Sequence, residues 1–233
     1  MAVLTVVMPV YNEIRTIEQS LKRVVDAPLP AGIEKEIILV DDGSRDGTRE
    51  YLAKLQPPLR VIFHEKNRGK GAAVRTGFAA ATGDYIVIQD ADMEYDPAEF
   101  SDLLKPILDG KAEVVYGSRF MSGRPHAVLR FWHYLGNKFL TAFSNAFTNL
   151  YLTDMETCYK MFTKKALQEI APKLVSNRFA IEPEITARVA RGRYRLYEIG
   201  ISYGGRSYKE GKKIGWKDGF SALWAIVKFN YFE

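Results

Sequence analysis

Asp90-Ala91-Asp92 sets two carboxylates one residue apart, just after the apolar run Tyr85–Ile88. In an extended backbone, residues two apart share a face, so both side chains would point the same way. Hard oxygen donors at that spacing suit Mg²⁺ or Mn²⁺, ions that keep coordination positions open for water and substrate phosphates. A turn followed by a helix cap would also account for acidic residues here, and Asp96-Pro97 alone could supply that. A bare Asp-x-Asp is common, so its weight comes from its company. Tyr11-Asn12-Glu13 follows a second apolar run and Asp41-Asp42-Gly43-Ser44 a third. Adjacent carboxylates at Asp41 and Asp42 repel unless solvent, a cation or sugar hydroxyls relieve them, and such a pair suits a ribose or a base edge. Gly69-Lys70-Gly71 opens a helical pattern and could offer amides and a cation to phosphate, although the Walker spacing is absent.

Apolar, β-branched runs at 3–8, 36–40, 60–63, 85–88 and 113–116 read as buried strands. Helical patterns at 16–25, 47–55, 71–81 and 97–108 alternate with them, the last entered through Asp96 as cap and Pro97 at the first helical position. This alternation predicts an α/β fold, a mostly parallel sheet flanked by helices. The polar clusters then share the edge formed by the strands' carboxyl ends, where ligands of such sheets gather. Downstream, 128–152 and 216–232 are aromatic-rich amphipathic helix candidates, with a helix at 181–191 and a strand near 196–203 between them.

The chain has 233 residues, 47% of them hydrophobic and 26% charged, which excludes a disordered, collagen-like or coiled-coil protein. Cys158 is the single cysteine, so no internal disulfide forms, and it reads as packing rather than a nucleophile. Met1 to Val10 runs into polar residues without a basic leader, and no apolar run reaches the roughly 20 residues of a membrane span, so the expectation is a protein without a signal peptide. The formal charge of +5 favours anionic partners. Acidic strand ends argue against nucleic acid as one of them. A nucleotidyltransferase would carry a glycine-rich basic loop after the first strand, which Tyr11-Asn12-Glu13 is not. His64, His126 and His133 have no metal-ligand spacing.

Pro9-Val10-Tyr11-Asn12-Glu13, Val40-Asp41-Asp42-Gly43-Ser44, Asn67-Arg68-Gly69-Lys70-Gly71, Asp90-Ala91-Asp92 and Gly117-Ser118-Arg119 stand in this order. Together they resemble family-2 glycosyltransferases of the GT-A (Rossmann-like) fold, most closely the polyprenol-phosphate (dolichol-phosphate) mannose/glucose synthase branch, over nearly the whole chain. The resemblance implies a single domain, 1–233, with a nucleotide-binding half at 1–120 and an acceptor-side half at 121–233. Pro9, Tyr11, Glu13 and Asp42 would line the nucleotide, with Asp41 and Lys70 beside it. Asp90 and Asp92 would hold Mg²⁺ or Mn²⁺ and the donor diphosphate, and Glu94 would complete the metal shell where mannosyl-transferring relatives often have Gln. Arg119 and Arg130 would face the acceptor phosphate. Arg206-Ser207 with Lys212-Lys213 loosely matches a late loop that folds over the donor, and the glycines of 204–215 suggest a lid.

The segment from Asp154 to Lys160 departs from the pattern of an Asp, then Ser-Gly-Phe and a basic residue. Its extra carboxylate, Glu156, reads either as a general base for a hydroxyl acceptor or, more simply, as a helix-start carboxylate or a partner for Lys160. A phosphate acceptor, with a second pKa near 6, is already anionic and needs no base. The implied activity is inverting transfer from a GDP- or UDP-linked sugar to a lipid phosphate, with a glycan or protein hydroxyl as the alternative acceptor. The stripe Leu129, Trp132, Leu135, Phe139, Phe143, Phe147 and Leu150, and the tail residues Phe220, Leu223, Trp224, Val227 and Tyr231 near Lys212, Lys213 and Lys217, suit an anionic membrane surface. Core packing explains such stripes more often. The expected location is cytoplasmic, peripheral on the inner membrane face.

Overall fold

The computed structural model describes residues 1–121, 123–128, 131–205 and 216–233. Strands β1 (Ala2–Val10), β2 (Ile33–Asp41), β3 (Arg60–Phe63), β4 (Tyr85–Ile88) and β5 (Val114–Ser118) form where the apolar runs predict them. Between them run α1 (Ile17–Asp26), α2 (Thr48–Leu52), α3 (Lys70–Ala80) and α4 (Phe100–Leu108). A single 3₁₀ turn, Pro97–Glu99, leads into α4, and the Asp96 side chain caps it by accepting from the Ala98 amide at 3.1 Å. Then follow α5 (Phe131–Thr148), β6 (Lys160–Thr163), α6 (Lys164–Ile170), α7 (Ile181–Gly192), β7 (Leu196–Gly200) and α8 (Trp216–Val227), whose last turns widen over Lys228–Phe232.

Among the described residues seven strands make one sheet, in the order β3-β2-β1-β4-β6-β5-β7. Every pairing is parallel except those of β6, which runs antiparallel to both neighbours. The sequence pattern does not show β6. It is four residues long, starts with a lysine, and leads straight into α6, whose first turn Thr163 caps by accepting from the Ala166 amide. Parallel order sends β1, β2, β4 and β5 the same way, so their carboxyl ends share one edge. One expectation needs correction. The Asp-x-Asp pair lies in a turn beyond β4, not in extended strand, so its carboxylates are not forced onto one face. α5 is inverted: Thr141 and Ser144 are its buried residues, while Phe131, Trp132, Leu135 and Phe139 face outward, Trp132 being 78% exposed. Core packing therefore does not explain Trp132, Leu135 and Phe139, whereas Phe143 is half-buried, Leu150 packs against the core and Leu129 lies outside the described residues. α8 packs against α5 and α7, and it too turns Phe220 and Trp224 outward.

Helix α3 lies close on the sheet because Gly77 has no side chain. A Cβ there would sit 2.2 Å from Cγ1 of Val7, a fully buried, β-branched residue in the middle of β1. Gly77→Ala is expected to destabilise the fold by about 1–3 kcal/mol through overpacking. In urea denaturation, Val7→Ala combined with Gly77→Ala should cost less than the sum of the two single changes.

Candidate functional site

The first two clusters are stitched into one rim. The Asn12 amide donates to Ser44 Oγ at 2.9 Å, the Arg45 amide to Asn12 Oδ1 at 2.8 Å, and the Glu13 amide to Thr48 Oγ1 at 2.9 Å. Asn12 has φ +50°, a left-handed conformation that asparagine tolerates better than most residues. Pro9 and Tyr11 remain partly exposed along this rim, and Glu13 is nearly buried, accepting from Thr16 Oγ1 at 2.8 Å.

Asp41 and Asp42 are relieved by the protein itself, through the cation Arg49 and through amides and His64 in place of solvent or sugar hydroxyls. Asp41 is fully buried and meets Arg49 at 3.0 Å and the Ser44 amide. Asp42 accepts from the Arg68 amide at 2.9 Å, the Gly69 amide at 2.7 Å and His64 Nδ1 at 2.7 Å. In this conformation both carboxylates brace the loops at this edge of the sheet rather than open outward.

The start of α3 likewise commits amides to the protein and packs closely against residues 176–178. Gly69 N–H goes to Asp42, the Ala72 amide donates to the Asn177 carbonyl at 3.0 Å, and a Cβ on Gly71 would lie 2.4 Å from the Ser176 carbonyl oxygen. What faces the site is the Lys70 ammonium, 2.9 Å from Asp90 and 3.3 Å from Glu182. Burial works against its charge, but Asp90, Cys158 and Glu182 outweigh that and hold its pKa well above the ordinary value. The second oxygen of Glu182 pairs with Lys160, a fully buried cation that also meets the Met155 and Thr157 carbonyls and lies 4.8 Å from the centre of the Tyr116 ring. Lys160 thus pairs with Glu182 and not with Glu156, which corrects one of the two readings of Glu156. Sequence reasoning placed Glu182 only on a helix.

Asp92 accepts from the Glu94 amide at 3.1 Å, and Glu94 Oε2 accepts from the Tyr203 hydroxyl at 2.7 Å. Among the described residues no three His, Cys, Asp or Glu side chains are grouped to hold an ion, so the expected set Asp90, Asp92, Glu94 is not preassembled. Asp90 is turned to Lys70 and Glu94 to Tyr203. Two hard carboxylates in one turn nevertheless fit Mg²⁺ or Mn²⁺ when a diphosphate supplies further oxygens.

Just past β5, Arg119 forms a two-pronged pair with Asp154, Nε to Oδ2 at 2.6 Å and Nη2 to Oδ1 at 2.7 Å, with Asn137 of α5 at 3.5 Å. Only 7% exposed, it is a buried strut, which corrects its reading as an open phosphate ligand. Arg130, Arg206 and Lys212 lie outside the described residues, as do Ser207, Lys213 and all of the expected lid except Gly204 and Gly205. Glu156 keeps Oε1 buried with no hydrogen-bond partner among the described residues. Burial first, then the Glu182 carboxylate, push its pKa up to about 7 against the pull of Lys160 and Arg119. Cys158 is buried, as expected.

A mostly parallel α/β sheet with an Asp-x-Asp turn, a lysine and an arginine strut at its carboxyl edge is the arrangement of the GT-A class of nucleotide-sugar transferases. Residues 5–171 match the model of glycosyl transferase family 2; the chain belongs to that family and is a glycosyltransferase. It is 36% identical to a dolichol-phosphate mannosyltransferase of Pyrococcus furiosus over 51% of this chain, an alignment that takes in 34% of the relative. It is 27% identical to the UDP-N-acetylglucosamine–dolichyl-phosphate N-acetylglucosaminyltransferase of Methanococcus voltae, over 84% of this chain and 83% of that one. The fold is shared with glucosyl-3-phosphoglycerate synthase of Mycobacterium tuberculosis, solved with Mn²⁺, UDP and phosphoglyceric acid, at a TM-score of 0.73 and 18% identity, covering 100% of this chain and 80% of the other.

The raised pKa of Glu156 has a consequence for stability. The folded protein keeps this proton up to about pH 7, whereas an ordinary carboxyl releases it near 4.5, so folding loses stability as pH rises through that window. Glu156→Gln removes the loss. Thermal unfolding should show the variant melting higher than the parent at pH 8 and level with it at pH 4.5.

Proposed function

We propose that this enzyme moves a sugar, with inversion, from a UDP- or GDP-linked donor to the phosphate of a polyprenol-type lipid, using Mg²⁺ or Mn²⁺. The observation that carries the lipid acceptor is the inverted helix α5. Its inner side sends Asn137 to Arg119 in the site, while its outer side, with α8, exposes Trp132, Phe139, Phe220 and Trp224. A helix that belongs to the site and also presents aromatics outward suits an acceptor whose phosphate is polar and whose tail stays in a bilayer. Among the described residues no helix is long and apolar enough to cross a membrane, so this face would lie on the surface, on the cytoplasmic side where sugar nucleotides are made. The dolichyl-phosphate acceptors named for the two relatives support the same reading.

In the reaction a phosphate oxygen of the acceptor attacks the anomeric carbon as the bond to the donor diphosphate breaks on the opposite face. Asp90 and Asp92, with Glu94, would hold the divalent ion, which when bound neutralises the departing diphosphate. Lys70 brings a fixed cation to the same place, held charged by Asp90 and Glu182. Pro9, Tyr11 and Glu13 line the nucleotide position, and Arg206 and Lys212 are assigned to the loop that covers the donor. Arg130 is assigned to the acceptor phosphate. The acceptor brings its own negative charge, so no base is needed.

A second reading has one observation in its favour. The unpartnered Glu156 oxygen with a pKa of about 7 has the properties of a general base for a hydroxyl acceptor. Glu156→Gln separates the two: hydroxyl transfer should fall by about 10²–10⁴-fold, whereas transfer to a lipid phosphate should be almost unchanged.

Asp92→Asn is expected to leave the circular dichroism spectrum intact and remove transfer at saturating Mn²⁺; near-normal turnover would reject the metal assignment. The protein should co-sediment with anionic vesicles at low ionic strength and release as salt rises. Trp132→Ser with Trp224→Ser should abolish that binding. An intact protein that ignores such vesicles yet glycosylates a water-soluble hydroxyl acceptor would replace the lipid reading with the hydroxyl one.

A further inference from the structure

Tyr203 lies just past β7, 5% exposed, where three parts of the molecule meet. Its hydroxyl donates to Glu94 Oε2 at 2.7 Å. The next residue repeats the tie through the backbone, Gly204 N–H donating to the Glu94 carbonyl at 2.8 Å. The Tyr203 carbonyl accepts from the Ala127 amide at 2.7 Å, and its own amide donates to the Pro125 carbonyl, so it also fastens the segment that leads into α5. The ring lies beneath the Arg119 guanidinium, 5.2 Å away, and meets Tyr95 edge-on at 5.5 Å.

Two hydrogen bonds to one residue of the Asp-x-Asp turn fix both its backbone and its side chain. Met93, between Asp92 and Glu94, has φ +68°, a strained conformation for a methionine that persists only where the surroundings hold it. The turn is held from within by Asp92 accepting from the Glu94 amide and on its far side by Tyr203 and Gly204. The geometry points to Tyr203 as a positioning residue for divalent-cation binding: its hydroxyl holds one Glu94 oxygen so that the carboxylate is set for a cation at the Asp92 turn. Supporting partners of this kind orient metal-binding carboxylates, and their loss typically costs 10–100-fold in affinity. The inference rests on the reading of Asp92 and Glu94 as cation ligands and adds a residue to which neither the sequence pattern nor the family motifs point.

Tyr203→Phe removes one oxygen and keeps the ring under Arg119. Mn²⁺ binding to the whole chain can be followed by the paramagnetic resonance of free Mn²⁺, without turnover, in the presence of whichever of UDP and GDP the parent binds. The dissociation constant for Mn²⁺ should rise about tenfold while the thermal midpoint stays close to the parent's. In a Glu94→Ala background the same change should have no further effect on Mn²⁺ affinity, because the carboxylate it positions is gone; a role in stability alone would give additive losses. Asp92→Asn is the control for the underlying reading. If Asp92→Asn weakens Mn²⁺ binding and Tyr203→Phe does not, the role of Tyr203 is overturned and the metal site stands. If neither change alters Mn²⁺ affinity, both fall. A Phe variant that loses its fold assigns Tyr203 to stability and overturns the proposal as well.

Discussion

Glu182 touches two lysines, and the order of the site follows from that. A charge removed from water must be matched by an opposite one close by, and losing one partner of a buried pair costs several kcal/mol. From Asp90 through Lys70 and Glu182 to Lys160, negative and positive alternate, so the row is neutral within itself. Each member comes from a different element: the turn after β4, the start of α3, the start of α7 and the start of β6. Matching these charges therefore fixes how four elements meet. Arg119 with Asp154 does the same for the end of β5 and the segment after α5. Glu156 is the group left over, and it meets the cost of burial by keeping its proton.

The sheet was largely legible because hydrophobic runs report burial directly. Strands β3 and β4 fall on the residues the pattern names, and β1, β2 and β5 differ from it only at their ends. Strand β6 was not, because Lys160 is tolerated inside only through Glu182 and two carbonyls, partners that nothing local to Lys160 discloses. The motifs located the site but not the work of each residue in it. Asp41 and Asp42 stand where sequence places them, yet their oxygens are taken by Arg49, His64 and the amides of 68–69, contacts made across 8 to 27 residues of chain. Helix α5 shows the limit of periodicity most plainly. The spacing of its aromatics defines a stripe, but a stripe does not say which way it faces, and here Thr141, Ser144 and Asn137 turn inward.

The placement of β6 also bears on the order in which the molecule can be assembled. Strands β4 and β5 follow one another along the chain but are not neighbours; the gap between them is filled by β6, which is made only after the whole of α5. Until residues 160–163 arrive, both strands present unpaired backbone edges, and the row of charges around Lys70 lacks its second half. The Asp-x-Asp turn therefore cannot mature within the amino-terminal part as that part leaves the ribosome. It is completed from downstream, by Lys160, then Glu182, then Tyr203, so the site depends throughout on late, long-range contacts.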